Sequence, residues 1–98
     1  MKNQTCYTYH PKYRQIVDIN ARDIGYSQII GVDDPKNTRY EPGVFVTMFL
    51  EGDEREKFQD IIRFLDEVDE IEKITVLTTA ENKEHCVGLS DKVRIMVP

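Results

Sequence analysis

Tryptophan is absent from this 98-residue chain, and cysteine and histidine occur only twice each. Glycine is sparse as well. Gly25, Gly31, Gly43, Gly52 and Gly88 stand singly, so no glycine-rich loop is present to cradle a phosphate. No apolar run approaches the roughly 18 residues that a membrane-spanning helix requires. Met1-Lys2-Asn3-Gln4-Thr5 lacks the apolar core of a secretory signal, which makes the cytoplasm the expected compartment. Cys6 and Cys86 lie at opposite ends of the chain and are expected to be reduced thiols, a disulfide joining the termini being the alternative. With His10 and His85 they make a formal Cys2His2 set, but neither Cys6…His10 nor the adjacent His85-Cys86 has zinc-finger spacing. No metal and no cofactor are expected.

What is present describes a globular protein. At 11.5 kDa, with 40% hydrophobic and 32% charged residues, residues 1–98 are expected to form one domain with one modest core. The net charge of −5 is unevenly distributed. Residues 1–50 carry six basic and five acidic side chains, residues 51–73 four and ten, and residues 74–98 three and three. One segment therefore makes the whole chain acidic, which argues against direct nucleic-acid binding and against anionic membranes.

The clearest element runs from Asp53 to about Val68. Phe58, Ile61, Ile62, Leu65 and Val68 recur at helical spacing, and Phe64 widens the stripe. Asp53 and Glu56 have the spacing of a capping box, and early acids suit the positive end of the helix dipole. Before the helix, residues 44–50 form a β-branched and aromatic run bounded by Pro42-Gly43 and Glu51-Gly52. After it, residues 71–78 read as a second strand. Residues 44–78 are thus expected to form a βαβ unit with parallel strands. The stretch 86–97 has two apolar runs around Ser90-Asp91 and reads as a hairpin or a turn into a last strand, with residues 80–84 as loop. Residues 13–20 and 27–32 are further strand candidates, 21–26 a turn or a single helical turn, and 33–37 a solvated loop. The expected fold is α+β: a mixed sheet of four to six strands with one dominant amphipathic helix on one face, ferredoxin-like or related.

Alternation divides the strand of residues 44–50 into Val44, Val46, Met48 and Leu50 on one face and Phe45 and Phe49 on the other. Ile74, Val76, Val93, Ile95 and Val97 are expected to share one side of the sheet, and Leu77 and Met96 the other. A single helix covers only one side. Phe45, Phe49, Leu77 and Met96 therefore need either the first forty residues or a second copy of the chain above them. The order strand, tight Gly52-Asp53 turn, amphipathic helix, short return and strand in residues 44–78 is similar to one half of the ACT and Lrp-type small-molecule-sensing domains. That resemblance spans about a third of the chain; it implies a regulatory binding domain and assigns no functional residue.

Two surfaces stand out as candidate sites. Glu56, Asp60 and Glu67 share the outer helix face with Arg63 between them, and Glu70 extends the negative charge beyond the helix end. Such a face suits either docking to a basic protein partner or simple solvation. Tyr7, Tyr9 and Tyr13, with His10, Lys12 and Arg14, make an aromatic and basic stretch that can contact a small-molecule ligand if it is extended, although Pro11 interrupts it. The alternative is an edge segment whose rings pack on the core. No catalytic set is apparent, and Asp33-Asp34 beside Pro35 is explained by turn formation. The expected function is that of a small non-enzymatic regulatory or adaptor protein, acting by binding a protein partner or as a homodimer. An acidic inhibitor of a basic partner and a small-molecule sensor are the alternatives.

Overall fold

The computed structural model describes residues 4–9, 26–50, 55–86 and 89–97. Five strands form one sheet: β1 (Gln4–Tyr9), β2 (Tyr26–Val32), β3 (Val44–Phe49), β4 (Ile71–Leu77) and β5 (Val93–Met96). Among the described residues, two α-helices accompany them, α1 (Arg55–Asp66) and α2 (Ala80–His85), together with a 3-10 turn at Pro35–Asn37. The spatial order is β2-β1-β3-β4-β5, and every neighbouring pair is parallel.

The α+β composition and the βαβ unit of residues 44–78 are both present. β3 and β4 lie side by side, with Val46 opposite Ile74 and Met48 opposite Val76. The mixed sheet and the ferredoxin-like arrangement are corrected, because a ferredoxin-like sheet contains antiparallel neighbours and this one pairs all its strands in parallel. The second correction explains the first. Residues 80–84, expected as loop, belong to α2, which lies between β4 and β5, and β5 pairs in parallel with β4. Thr79 caps α2 by accepting the Asn82 N–H at 3.3 Å, and the Lys83 N–H bonds the Thr79 carbonyl at 2.9 Å. Parallel strands need a crossover connection, whereas a hairpin can join only antiparallel ones. The 3-10 turn likewise lies inside the stretch expected as plain loop. The strand candidate at 13–20, residues 21–25 of the turn expected at 21–26 and the Asp53 cap lie outside the described residues, while Tyr26 begins β2.

The alternation arguments hold on both faces for β3 and for Ile74, Val76, Val93, Ile95 and Leu77, while Val97 and Met96 are exposed and belong to neither cluster. On the α1 side, Val44, Val46, Met48 and Leu50 pack with Ile74 and Val76, and with Phe58, Ile61, Ile62 and Leu65 of the helix. Val93 and Ile95 pack against that same cluster. On the other side, Cys6, Ile29 and Phe49 form a second cluster joined by Phe45 and Leu77. Phe64 departs from the expected stripe: it is 40% exposed on the outer side of α1. At the entrance to β3, Gly43 adopts a positive φ of 79°, a conformation that glycine reaches without strain. Its N–H donates to the Glu70 carbonyl at 2.8 Å, which joins the chain before β3 to the turn after α1.

At the same end of α1, polar side chains tie the turn before the last strand to the helix. Lys92 donates to the carbonyls of Val68 at 2.7 Å and Asp66 at 3.3 Å, and Ser90 bonds the Asp66 carboxylate. Gln59 donates to the His85 carbonyl and so fastens α2 to α1.

Candidate functional site

In an open parallel sheet of order 2-1-3-4-5, successive connections lead first to one side of β1 and then to the other. A crevice opens beyond the carboxyl ends of the strands where the direction reverses. Here that position lies at the ends of β1 and β3. A cleft of about 360 Å³ occupies this edge, between Tyr9 at the end of β1, the 3-10 turn after β2, and the first turns of α1.

Its walls follow from local sequence. Tyr9 is buried, and its ring meets Phe58 of α1 edge-on, with centroids 6.0 Å apart and planes at 70°. Asp34 caps the 3-10 turn, accepting the Lys36 N–H at 3.2 Å, while the Asn37 side chain donates to its second carboxylate oxygen. The Thr38 hydroxyl donates to the Asp34 carbonyl at 2.7 Å. Tyr40 supports the turn from behind by donating its hydroxyl to the Pro35 carbonyl at 2.7 Å, and its ring stands edge-on to Tyr7 at 5.0 Å. Burial above all, together with Tyr7 and Asp34, pushes the Tyr40 hydroxyl up to about 12, against a weaker opposing hydrogen bond with Thr38.

Across the cleft, Lys36 forms an ion pair with Asp60 of α1. Asp33 and Lys57 complete the charged lining, and both are exposed. Three carboxylates and two ammonium groups leave the lining close to neutral and slightly negative. Polyphosphates are repelled by such a lining, whereas a small polar ligand that is neutral or of mixed charge is accommodated.

The candidate residues named from sequence fall in different places. Tyr7 and Tyr9 point into the helix-side core, with Tyr9 reaching the cleft; Tyr13 and Arg14 lie outside the described residues. Glu56, Arg63 and Glu67 are exposed on α1, and Asp60 is held by Lys36. Glu70 sits in the turn before β4, exposed, with its carbonyl bonded to Gly43 and Val44. Phe49 is only 7% exposed within the single chain, Phe45 and Leu77 are half-buried, and Met96 is 38% exposed. The need for cover from outside therefore rests on Phe45, Leu77 and Met96 alone. Cys6 and Cys86 are free thiols packed against the clusters on opposite faces of the sheet. Among the described residues, no group of three His, Cys, Asp or Glu side chains is placed to hold a metal ion, and no helix is long and apolar enough to cross a membrane.

Asp33, Lys36 and Lys57 were not singled out from the sequence as site residues. Asp33-Asp34-Pro35 carries a turn signal, and nothing local announces that Lys36 meets Asp60 twenty-four positions later. Compared with known proteins, the chain matches no family model, and neither the curated proteins nor the solved structures contain a significant match.

Proposed function

We infer that this chain is a non-enzymatic regulatory module that works by binding a small polar ligand at the carboxyl edge of its sheet. The observation that carries this reading is the coincidence of the cleft with the place where the strand order reverses. Tyr9 supplies an aromatic wall, and Asp33 and Lys57 supply opposite charges that orient a polar guest. The reading is tested by following backbone amide resonances while adding a panel of free amino acids, sugars and nucleosides. Saturable shifts confined to residues 33–37 and 57–61, weakened in K57A and D33A, are the expected result; a panel without saturable shifts there overturns it.

A second reading, self-association, is favoured by one observation. Met96 and Val97 are 38% and 47% exposed at the end of the edge strand β5, near the half-buried Leu77 that pairs with Met96 in register. A homodimer that covers Phe45, Leu77 and Met96 buries this surface. Native mass spectrometry across a concentration series tests it, and a persistent monomer at high concentration excludes it.

A further inference from the structure

Among the described residues, five charged side chains line the cleft at the carboxyl edge of the sheet: Asp33, Asp34, Lys36, Lys57 and Asp60. Three of them are engaged within the protein. Asp34 uses both carboxylate oxygens in its own turn, one accepting the Lys36 N–H at 3.2 Å and the other the Asn37 side chain. Lys36 and Asp60 neutralise each other across the opening. Asp33 and Lys57 are left, both exposed, their side chains without a hydrogen bond or ion pair among the described residues. They are one anion and one cation.

The remainder of the lining is apolar. Tyr9, Pro35 and Ile61 line the same cleft and are buried, so an apolar floor lies inside a charged rim. The volume of about 360 Å³ falls near the lower end of the roughly 300–1,000 Å³ typical of small-molecule sites, which suits one compact guest and not a dinucleotide.

We propose that the ligand of this cleft is a free α-amino acid with an apolar side chain, its ammonium on Asp33, its carboxylate on Lys57 and its side chain against Tyr9, Pro35 and Ile61. The assignment rests on the reading of the cleft as a ligand site and adds the class of guest. A zwitterion meets the two unengaged charges one to one and leaves the slightly negative total unchanged, whereas an anion adds to it. A sugar or a nucleoside brings no charge to either group. The apolar side chain supplies the part of the guest that leaves water.

Backbone amide titrations of the full chain with L-leucine, N-acetyl-L-leucine, L-leucinamide and N-acetyl-L-leucinamide separate the two charges. L-leucine should give saturable shifts at residues 33–37 and 57–61, and removal of either charge should weaken binding about fivefold, the upper end of what a solvent-exposed ion pair contributes. D33N should erase the preference for L-leucine over its N-acetyl form, and K57Q the preference over its amide, each leaving the other preference in place. Both positions are exposed, so neither substitution removes a core contact. Equal binding of the four compounds overturns the amino-acid assignment, as do preferences that survive both substitutions, or saturable binding of a sugar or nucleoside where L-leucine gives none. In each of these cases the cleft stands as a ligand site. Absence of saturable shifts with every one of these compounds overturns the assignment and the reading of the cleft together.

Discussion

Lys92 places its ammonium 2.7 Å from the carbonyl oxygen of Val68, just beyond the last turn of α1, and reaches the Asp66 carbonyl as well. A cation at a helix C-terminus satisfies carbonyls that have no helical partner and complements the dipole. K92M keeps most of the aliphatic stem and removes the charge. It is expected to lower unfolding free energy by about 1 kcal/mol, measured by urea denaturation.

Tyr40 imposes a pH dependence at the alkaline end. Its hydroxyl is raised from the ordinary 10.0 to about 12. In the unfolded chain it ionises first, while the folded chain keeps its proton. Stability contributed by this group is therefore complete below about pH 10 and is lost as the pH rises towards 12. Y40F should flatten the stability-pH curve in that window, at the cost of the bond to Pro35. Denaturation midpoints at successive alkaline pH values provide the check.

The two thiols should differ in reactivity. Burial pushes the Cys6 thiol up, partly opposed by its hydrogen bond to Thr47, and leaves no exposed surface. Burial also raises Cys86, but that side chain is only half-buried. Since the thiolate is the nucleophile, alkylation of the folded protein should modify Cys86 first and reach Cys6 only in denaturant. Oxidation should produce no disulfide within a folded chain, because the thiols lie on opposite faces of the sheet. Peptide mapping after timed alkylation and after oxidation tests both statements.

Phe58 and Phe64 lie six positions apart on α1 with opposite fates: 2% exposed in the core and 40% exposed outside. F58A should cost about 3–5 kcal/mol through lost burial and the cavity left beside Tyr9. F64A should remain within about 0.5 kcal/mol of the unaltered chain. Parallel denaturation curves measure the contrast.

The Lys36–Asp60 pair bridges the cleft but is open to water, its side chains being 40% and 68% exposed. D60N is expected to change stability by less than about 1 kcal/mol, with the difference disappearing at high salt. A larger loss that persists in salt would contradict this solvent-screened view of the pair.

Much of the architecture was legible because it depends on periodicity. The spacing of Phe58, Ile61, Ile62 and Leu65 names a helix and its buried face, and alternation in residues 44–50 separates Met48 from Phe49 onto opposite sides of the sheet. The short helix Ala80–His85 was not legible, because six residues with only Asn82 buried carry no apolar stripe. Its signal was confined to Thr79 as a cap. Without α2 as a crossover, residues 86–97 read as either a hairpin or a turn into a last strand; the second holds, with β5 following the turn at 91–92 and pairing in parallel with β4. The cleft was illegible for a different reason. Tyr9, Asp33, Lys36, Lys57 and Asp60 come from three separated segments, and each has an ordinary local explanation.

By itself the sequence determined the elements with strong periodicity, the two-faced character of β3 and the acidic bias of residues 51–73, since these depend on neighbours within one or two turns of chain. Only the tertiary structure decided strand order, direction and the meeting of Lys36 with Asp60 and of Thr8 with Thr47. Those are pairings between distant segments, chosen by which crossover packs its apolar side on the sheet, and no local pattern of residues specifies them.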